Sequence, residues 1–405
     1  MSWKKVLIPD VLFFQEGPGV RNTQFTSSGV KLLNVGNINN GLLDLDATKI
    51  YISEKEAFGK YGHFLVEAGD LLIASSGIVV DNFHNKITWA KAEDLPLCMN
   101  TSTIRFKSLD SGVLDIRYFS YFLKTRFFSD QLRKLITGSA QLNFGSSHLK
   151  QISLPLPPLP IQKRIAEILD AADALRRKDQ ELVRKYDELA QAIFIDMFGD
   201  PVKNEKGFAK IKLGECLDNI QIGPFGTQLH ESDYIKNGIP LINPMHIGDL
   251  KIKPNYNYSI SEEKYLELPQ YHLKVDDVIL GRRGEMGRCA IVTKEQGKCL
   301  CGTGSLFLTV KKELLDPLFL VYVLSRKTTK IALENVSAGT TMANLNKNII
   351  SDFEIILPNI AKQKDFVNAI KMSEKSIEFT NELVNKSNHI FDSLLQQAFK
   401  GELVK

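Results

Sequence analysis

Two stretches of this chain carry seam residues in alternating steps of four and three, the spacing of a coiled coil. In the first, the rhythm is set by Ile161, Ile165, Ile168, Ala172, Leu175, Asp179, Leu182, Tyr186, Leu189 and Ile193. The spacing predicts one helix from about Ile161 to about Phe198, roughly 55 Å long at ~1.5 Å per residue. Such a helix is too long and too narrowly apolar to lie on an ordinary globular core, so it needs a partner. The second stretch, about Ala361 to Lys400, supplies one, with Phe366, Ile370, Ser373, Ile377, Thr380, Val384, Ser387, Phe391, Leu394 and Ala398 as its seam. Several of those positions are small and polar, and a large residue such as Tyr186 is expected to fill the space across from them.

The two helices are copies. Leu357-Pro358 repeats Leu156-Pro157 at an offset of 201 (357 − 156), and the same offset sets Gln363-Lys364 on Gln162-Lys163 and Phe399 on Phe198. The duplication extends upstream. Gly17-Pro18-Gly19 matches Gly223-Pro224-Phe225-Gly226, the run Gly29 to Asn34 matches Gly238 to Asn243, and FLVEAGDLLIASSG from Phe64 matches YHLKVDDVILGRRG from Tyr271. Gly138 to Asn143 matches Gly339 to Asn344. The offset drifts while the order holds, which predicts two homologous halves, each a globular unit followed by a long helix.

Each unit reads as α+β with a mostly antiparallel sheet. Val66 to Ile73, Val275 to Leu280 and Lys298 to Val310 are β-rich. Ile116 to Lys134 and its equivalent, Leu318 to Val336, have helical spacing. The proline-rich junctions Leu154 to Pro160 and Ile356 to Pro358 fix extended backbone before each helix. The expected division is 1–153, a first globular domain; 154–200, elbow and helix; 201–355, a second globular domain; and 356–405, the last helix.

A hydrophobic content of 43% with 24% charged residues is ordinary for a globular chain, and a net charge of +4 permits nucleic acid binding without demanding it. The five cysteines are odd in number and show no CxxC, so no structural metal is expected and a reduced, cytoplasmic setting is the simple reading. No run reaches the ~20 apolar residues of a membrane span.

Motifs for chemistry are missing. There is no Asn-Pro-Pro-Tyr loop, no glycine-rich cofactor turn, no phosphate-cradling GxxxxGK[ST], and the seven histidines are scattered. A non-enzyme without cofactor or metal is expected. What stands out is Gly281-Arg282-Arg283-Gly284-Glu285-Met286-Gly287-Arg288, a basic turn after a β-rich run. Its glycines allow close backbone approach, and Arg presents the fork that fits guanine or phosphate. The equivalent turn, Ala74-Ser75-Ser76-Gly77, has no arginine.

Other polar clusters occupy equivalent places: Arg21, Asn22, Gln24, Asn34, Asn37, Gln141 and Asn143 in the first half, Gln228, His230, Asn243, His246, Thr340 and Asn344 in the second. With Ser75, Ser76, Arg282, Arg283 and Arg288 they are the candidates for contacting base edges. All of them are also turn residues or surface residues in their own right.

Taken together, LPLPPLPIQKRIAEILDAADALRRKDQELVRKYDELAQAIFIDMF from Leu154 to Phe198, and GPFGTQLHESDYIKNGIPLI from Gly223, strongly resemble the specificity subunit of type I restriction-modification enzymes. The resemblance covers the chain from Trp3 to Leu403; the junction ILPNIAKQK departs from the fuller proline pattern. It implies two mostly-β target-recognition domains joined by a long antiparallel two-helix coiled coil in a pseudo-twofold internal repeat. Each domain would read one half of a bipartite, asymmetric site in double-stranded DNA. It also implies two methyltransferase (modification) subunits as partners, joined by restriction subunits with ATP-dependent translocase and nuclease activity. Gln162, Lys163, Arg164, Phe194, Phe198, Gln363 and Phe399, on the motif-bearing helices, are the expected partner-binding residues. The competing reading is a coiled-coil spacer that binds protein rather than DNA.

Overall fold

The structure is a computed structural model and describes residues 3–77, 80–136, 143–226, 228–248, 250–283, 286–337 and 344–404. The chain divides into two compact units, residues 1–180 with 382–405, and residues 181–381. Both long helices contribute to both units. The first runs Leu159–Phe198 and the second Ile360–Lys400, within two residues of the expected starts.

In the first unit the central sheet is antiparallel, ordered Leu12–Glu16, Thr103–Ser108, Leu71–Ala74, Ile87–Trp89. A second sheet contains the parallel pairing of Val30–Leu33 with Leu97–Met99. The second unit repeats the plan with Leu217–Ile222, Ser305–Val310, Val278–Gly281 and Cys289–Ile291, and again one parallel pair, Ile239–Ile242 with Leu300–Cys301. Strands are shorter than the sequence predicts. Val66 to Asp70 is a turn, closed by Asp70 accepting from the Glu67 amide at 2.9 Å, and Lys298 to Val310 is two strands split at Gly302 to Gly304.

The expected helix at Ile116 to Lys134 is two helices, Ile116–Phe122 and Arg126–Leu135. Thr125 makes the break, because its hydroxyl donates to the Phe122 carbonyl at 2.6 Å and caps the next helix by accepting from the Phe128 amide at 3.2 Å. Its counterpart also divides, into Pro317–Ser325 and Lys327–Ser337.

The junctions before the long helices are edge strands. Ser153–Pro155 pairs with Lys5–Leu7, and Glu354–Ile356 with Lys210–Lys212. Pro160 then falls in the first turn of its helix, where a missing N–H leaves no bond unmade.

In the first unit Ile165 and Leu169 of the first long helix join Phe391, Leu395 and Phe399 of the second in one core with Phe106, Phe119 and Phe122. The Phe399 ring stacks on Tyr118 at 4.9 Å, and Tyr118 donates its hydroxyl to the Pro155 carbonyl at 2.8 Å. In the second unit Phe194, Phe198, Phe319, Tyr322 and Phe366 form one aromatic cluster. Full burial of one such ring is worth about 1.5–3 kcal/mol. Within this unit Phe366 meets Phe194 while Ser373 Oγ lies 3.5 Å from the Tyr186 carbonyl, so the two helices run antiparallel there. The small seam residue Ser373 meets the backbone of Tyr186 on the facing helix.

The seam of the second helix matches expectation at Phe366, Ile370, Ser373, Thr380, Ser387, Phe391 and Ala398, all buried. That of the first is displaced. Its buried residues include Gln162, Ile165, Ala166, Leu169, Asp173, Ala190, Phe194 and Phe198, whereas Leu175, Leu182 and Leu189 are exposed. The inward positions include a carboxylate held by Arg176 and Arg177, and a hydrophobic count misses such a position.

Candidate nucleic-acid interface

The turns that follow Leu71–Ala74 and Val278–Gly281 are built on one backbone plan. Ser75 N donates to the Ser102 carbonyl at 2.8 Å, and its own carbonyl accepts from Phe144 N at 2.9 Å. Arg282 N donates to the Gly304 carbonyl at 3.0 Å, and its carbonyl accepts from Leu345 N at 3.1 Å. The neighbouring Gly-Pro loops pack against the same frame. A Cβ on Gly17 would meet the Asn100 carbonyl oxygen at 2.2 Å, and one on Gly223 the Gly302 carbonyl oxygen at 2.0 Å, so both positions require glycine.

In the first unit this frame opens a polar cleft of about 370 Å³ lined by Glu16, Ser75, Ser76, Thr101, Ser102 and Asn143. Three of the expected residues, Ser75, Ser76 and Asn143, thus meet in one place. Asn143 Oδ1 accepts from the Gly77 amide at 2.8 Å and Glu16 accepts from the Ser146 amide at 3.3 Å. Asn34 reaches the same neighbourhood through Asn100, whose Nδ2 donates to Asn34 Oδ1 at 2.8 Å. Glu16, Thr101 and Ser102 were not among the residues expected from sequence, although Thr101 and Ser102 lie in the polar run Asn100 to Thr103.

In the second unit the equivalent of Ser75 is Arg282, a residue 4% exposed. Nε donates to Asn344 Oδ1 at 2.9 Å, the Phe225 ring lies over the guanidinium at 5.1 Å, and Nη1 has no acceptor among the described residues. Burial, and then the neighbouring Arg283 charge, hold the Arg282 pKa below the usual arginine value. The expectation that Arg282 presents itself at the surface is corrected: Arg283 is the exposed arginine of the turn, and Arg288 is half-buried. Asn243 joins this frame, its Oδ1 accepting from the Gly304 amide at 3.3 Å.

Other expected residues are committed to the fold. Asn37 is fully buried, donating to the Asp44 carbonyl at 2.8 Å and accepting from the Asn34 amide and the Thr48 hydroxyl. His246 holds the same position in the second unit. Its Nδ1 lies 3.2 Å from the Asn243 amide and 2.9 Å from the Leu241 carbonyl, Nε2 is buried without a partner among the described residues, and burial lowers its pKa. The expectation that these two offer polar edges to a ligand is corrected, since both close a turn from inside.

Gln24 donates to Glu56 at 2.7 Å and to the Tyr61 hydroxyl at 3.1 Å, and Gln228 accepts from the Tyr271 hydroxyl at 2.6 Å, so both pin loops. Arg21, Asn22 and His230 are exposed at 3₁₀ turns, and the Arg21 amide donates to Gln24 Oε1 at 3.2 Å. Gln141 and Thr340 lie outside the described residues.

The expected partner-binding set divides sharply. Gln162, Phe194, Phe198, Gln363 and Phe399 are buried. Gln162 donates to the Val113 and Pro157 carbonyls at 2.9 and 2.8 Å and accepts from the Asp115 amide at 3.0 Å. These five are corrected to residues that anchor the helices in the cores and loops of the units, Gln162 and Phe399 in the first and Phe194, Phe198 and Gln363 in the second; Lys163 and Arg164 are exposed. Sequence reasoning missed the exposed apolar residues on the helices: Leu175, Leu182 and Leu189, seven apart on the first, and Met372 and Phe379, seven apart on the second.

Another cavity of the first unit, about 530 Å³, lies among Trp89, Arg117, Tyr121, Lys124, Asp170, Asp173 and Arg177. Its two carboxylates are paired: Asp170 accepts from Tyr121 at 2.6 Å and Arg117 at 3.0 Å, and Asp173 from Arg177 at 2.8 Å. Among the described residues no group of side chains could hold a metal ion, and no helix is long and apolar enough to cross a membrane.

A family model described as the type I restriction modification DNA specificity domain matches residues 2–184 and 227–387. The chain is 23% identical to the EcoBI specificity subunit of Escherichia coli, over 99% of this chain and 86% of that protein. It is 28% identical to the MjaVIII specificity subunit of Methanocaldococcus jannaschii, over 66% of this chain and 65% of that protein. Among solved structures, the type I restriction-modification S subunit from M. genitalium superposes with a TM-score of 0.55 at 16% identity, covering 98% of this chain and 96% of that one. A structure described under complex assembly and conformational transition of the type I R-M system gives a TM-score of 0.59 at 18% identity, covering 99% and 98%.

Proposed function

Because this chain belongs to the type I restriction modification DNA specificity family, we propose that it is the sequence-specific DNA-binding subunit of a type I restriction-modification system. It supplies the address and no chemistry of its own. The boundaries proposed are target-recognition domains at 1–153 and 201–355, with helices at 154–200 and 356–405 acting as an antiparallel coiled-coil spacer in a pseudo-twofold arrangement. Each domain reads one half of a bipartite site in double-stranded DNA.

One observation carries this reading. The same backbone frame presents Ser75, Ser76 and Asn143 in one unit and Arg282, Arg283 and Asn344 in the other. A duplicated frame with diverged side chains suits an asymmetric target, because hydroxyl, amide and guanidinium groups favour different base edges. Exposed Lys163, Arg164, Leu182, Leu189, Met372 and Phe379 on the helices support docking of two modification subunits there, with restriction subunits joining the complex in the cytoplasm.

The experiment is base-modification sequencing of genomic DNA from cells carrying the intact gene and from cells in which residues 1–150 are exchanged for another domain of the family. A bipartite methylated motif of which only one half changes is expected. Absence of gene-dependent methylation with modification subunits present would refute the reading in favour of a protein-binding spacer.

A further inference from the structure

The second unit buries a cation whose Nη1 has no acceptor among the described residues. Arg282 is fixed at one end by Asn344, which takes Nε at 2.9 Å, and on one face by Phe225, while Nη1 is left without an acceptor among the described residues. A buried donor without an acceptor is destabilising, and charged donors more so than neutral ones. The arrangement therefore has a physical reason to persist only if an acceptor arrives.

Phe225 and Arg282 also occur together. The first unit reads Gly17-Pro18-Gly19 where the second reads Gly223-Pro224-Phe225-Gly226, so the phenylalanine is the added residue, and Ser75 stands where Arg282 does. Phe225 is 48% exposed although large and apolar. Its ring covers the guanidinium from the solvent side, and cation–π attraction keeps it there.

We propose that the second unit reads a guanine through Arg282, and that Phe225 is the cover which the incoming base displaces. With Nε committed to Asn344, the two Nη groups form the fork that matches guanine O6 and N7. In the absence of that acceptor pair the ring stays down, and the arginine is withheld from phosphates and from wrong bases. The inference rests on the proposed DNA-reading function and assigns one base class to one residue.

The test uses the full chain selected against a randomised duplex library, with the first half-site as internal control. Wild type is expected to enrich a two-block motif containing an invariant guanine in one block. Arg282→Gln is expected to lose that guanine preference by roughly tenfold or more and to keep the other block. Phe225→Ala, which uncovers the guanidinium, is expected to bind duplexes lacking the guanine severalfold more tightly, and Phe225→Trp to restore discrimination. If Arg282→Gln weakens all duplexes equally, the contact is to phosphate and the guanine assignment fails. An unchanged second block in Arg282→Gln, or a Phe225→Ala profile identical to wild type, overturns it as well while leaving the DNA-reading function standing. If wild type enriches no sequence at all, the underlying function fails and the assignment falls with it.

Discussion

The Gln162 side chain accepts the Asp115 backbone N–H at 3.0 Å, and Gln363 accepts that of Asp316 at 2.8 Å. The correspondence is complete in its other contacts. Gln363 donates to the Leu314 and Pro358 carbonyls at 3.0 and 2.8 Å, as Gln162 does to Val113 and Pro157. Every partner lies 201 residues from its counterpart. One amide in each unit thus ties the first turn of a long helix, the junction before it and the loop ahead of Asp115 or Asp316.

Gln162→Ala is expected to destabilise the first unit by about 2–3 kcal/mol, because three backbone groups, one buried and two partly buried, lose their partners at once. Both tryptophans, Trp3 and Trp89, lie in that unit, so urea unfolding followed by tryptophan fluorescence isolates it. The transition should move to lower urea in Gln162→Ala and stay put in Gln363→Ala. Equal shifts in the two variants would mean that the staple is not local.

How far the sequence exposes this molecule depends on which interactions follow chain spacing. The repeat, both helices to within two residues and the seam of the second were legible, since small and apolar residues alternate there without charged intruders. The first seam was not, because Asp173, paired with Arg176 and Arg177, occupies an inward position while Leu175, Leu182 and Leu189 are exposed. At the cleft, Ser75, Ser76 and Asn143 were readable as polar turn residues. Asn37 and His246 belong to the same residue classes and point inward instead, a difference that depends on tertiary closure of the turn. Phe225 left one signal, an insertion between two glycines, whose meaning required its position over Arg282.

His246 predicts a pH dependence. Burial lowers its folded pKa below the ordinary value of 6.5, so as pH falls below ~6.5 the unfolded chain takes up a proton that the folded chain refuses. Stability is therefore full above that pH and is lost progressively toward the folded pKa. Asparagine closes the equivalent turn at Asn37, so His246→Asn should preserve the fold and remove this acid sensitivity. The stability difference between variant and wild type, followed from pH 7.5 to 5, should grow in favour of the variant; a constant difference would show that the imidazole titrates normally.

The first-unit cleft gives a specificity prediction. Asn143 supports the turn by accepting from the Gly77 amide and also lines the cleft. Asn143→Ala should relax preference at the first half-site by about 1–3 kcal/mol for a lost base contact, with the second half-site unchanged. Binding to duplexes mutated one base at a time would measure this, and a loss spread over both half-sites would point to global destabilisation.

The exposed leucines yield the last prediction. Leu182 and Leu189 are 38% and 46% exposed in the second unit, each one heptad from the next. A large apolar side chain left partly in water gains only part of its burial energy from the fold, and a row of them on one helix invites a covering surface. Leu182→Glu with Leu189→Glu should thus change folding stability by no more than about 0.5 kcal/mol per site, yet abolish co-purification with the modification subunit. The single-unit contacts of the aromatic cluster around Phe194 and Phe366 are untouched by these changes, so near-UV circular dichroism should match wild type. A variant that still assembles stoichiometrically would place the docking surface elsewhere, with exposed Lys163 and Arg164 the next residues to reverse in charge.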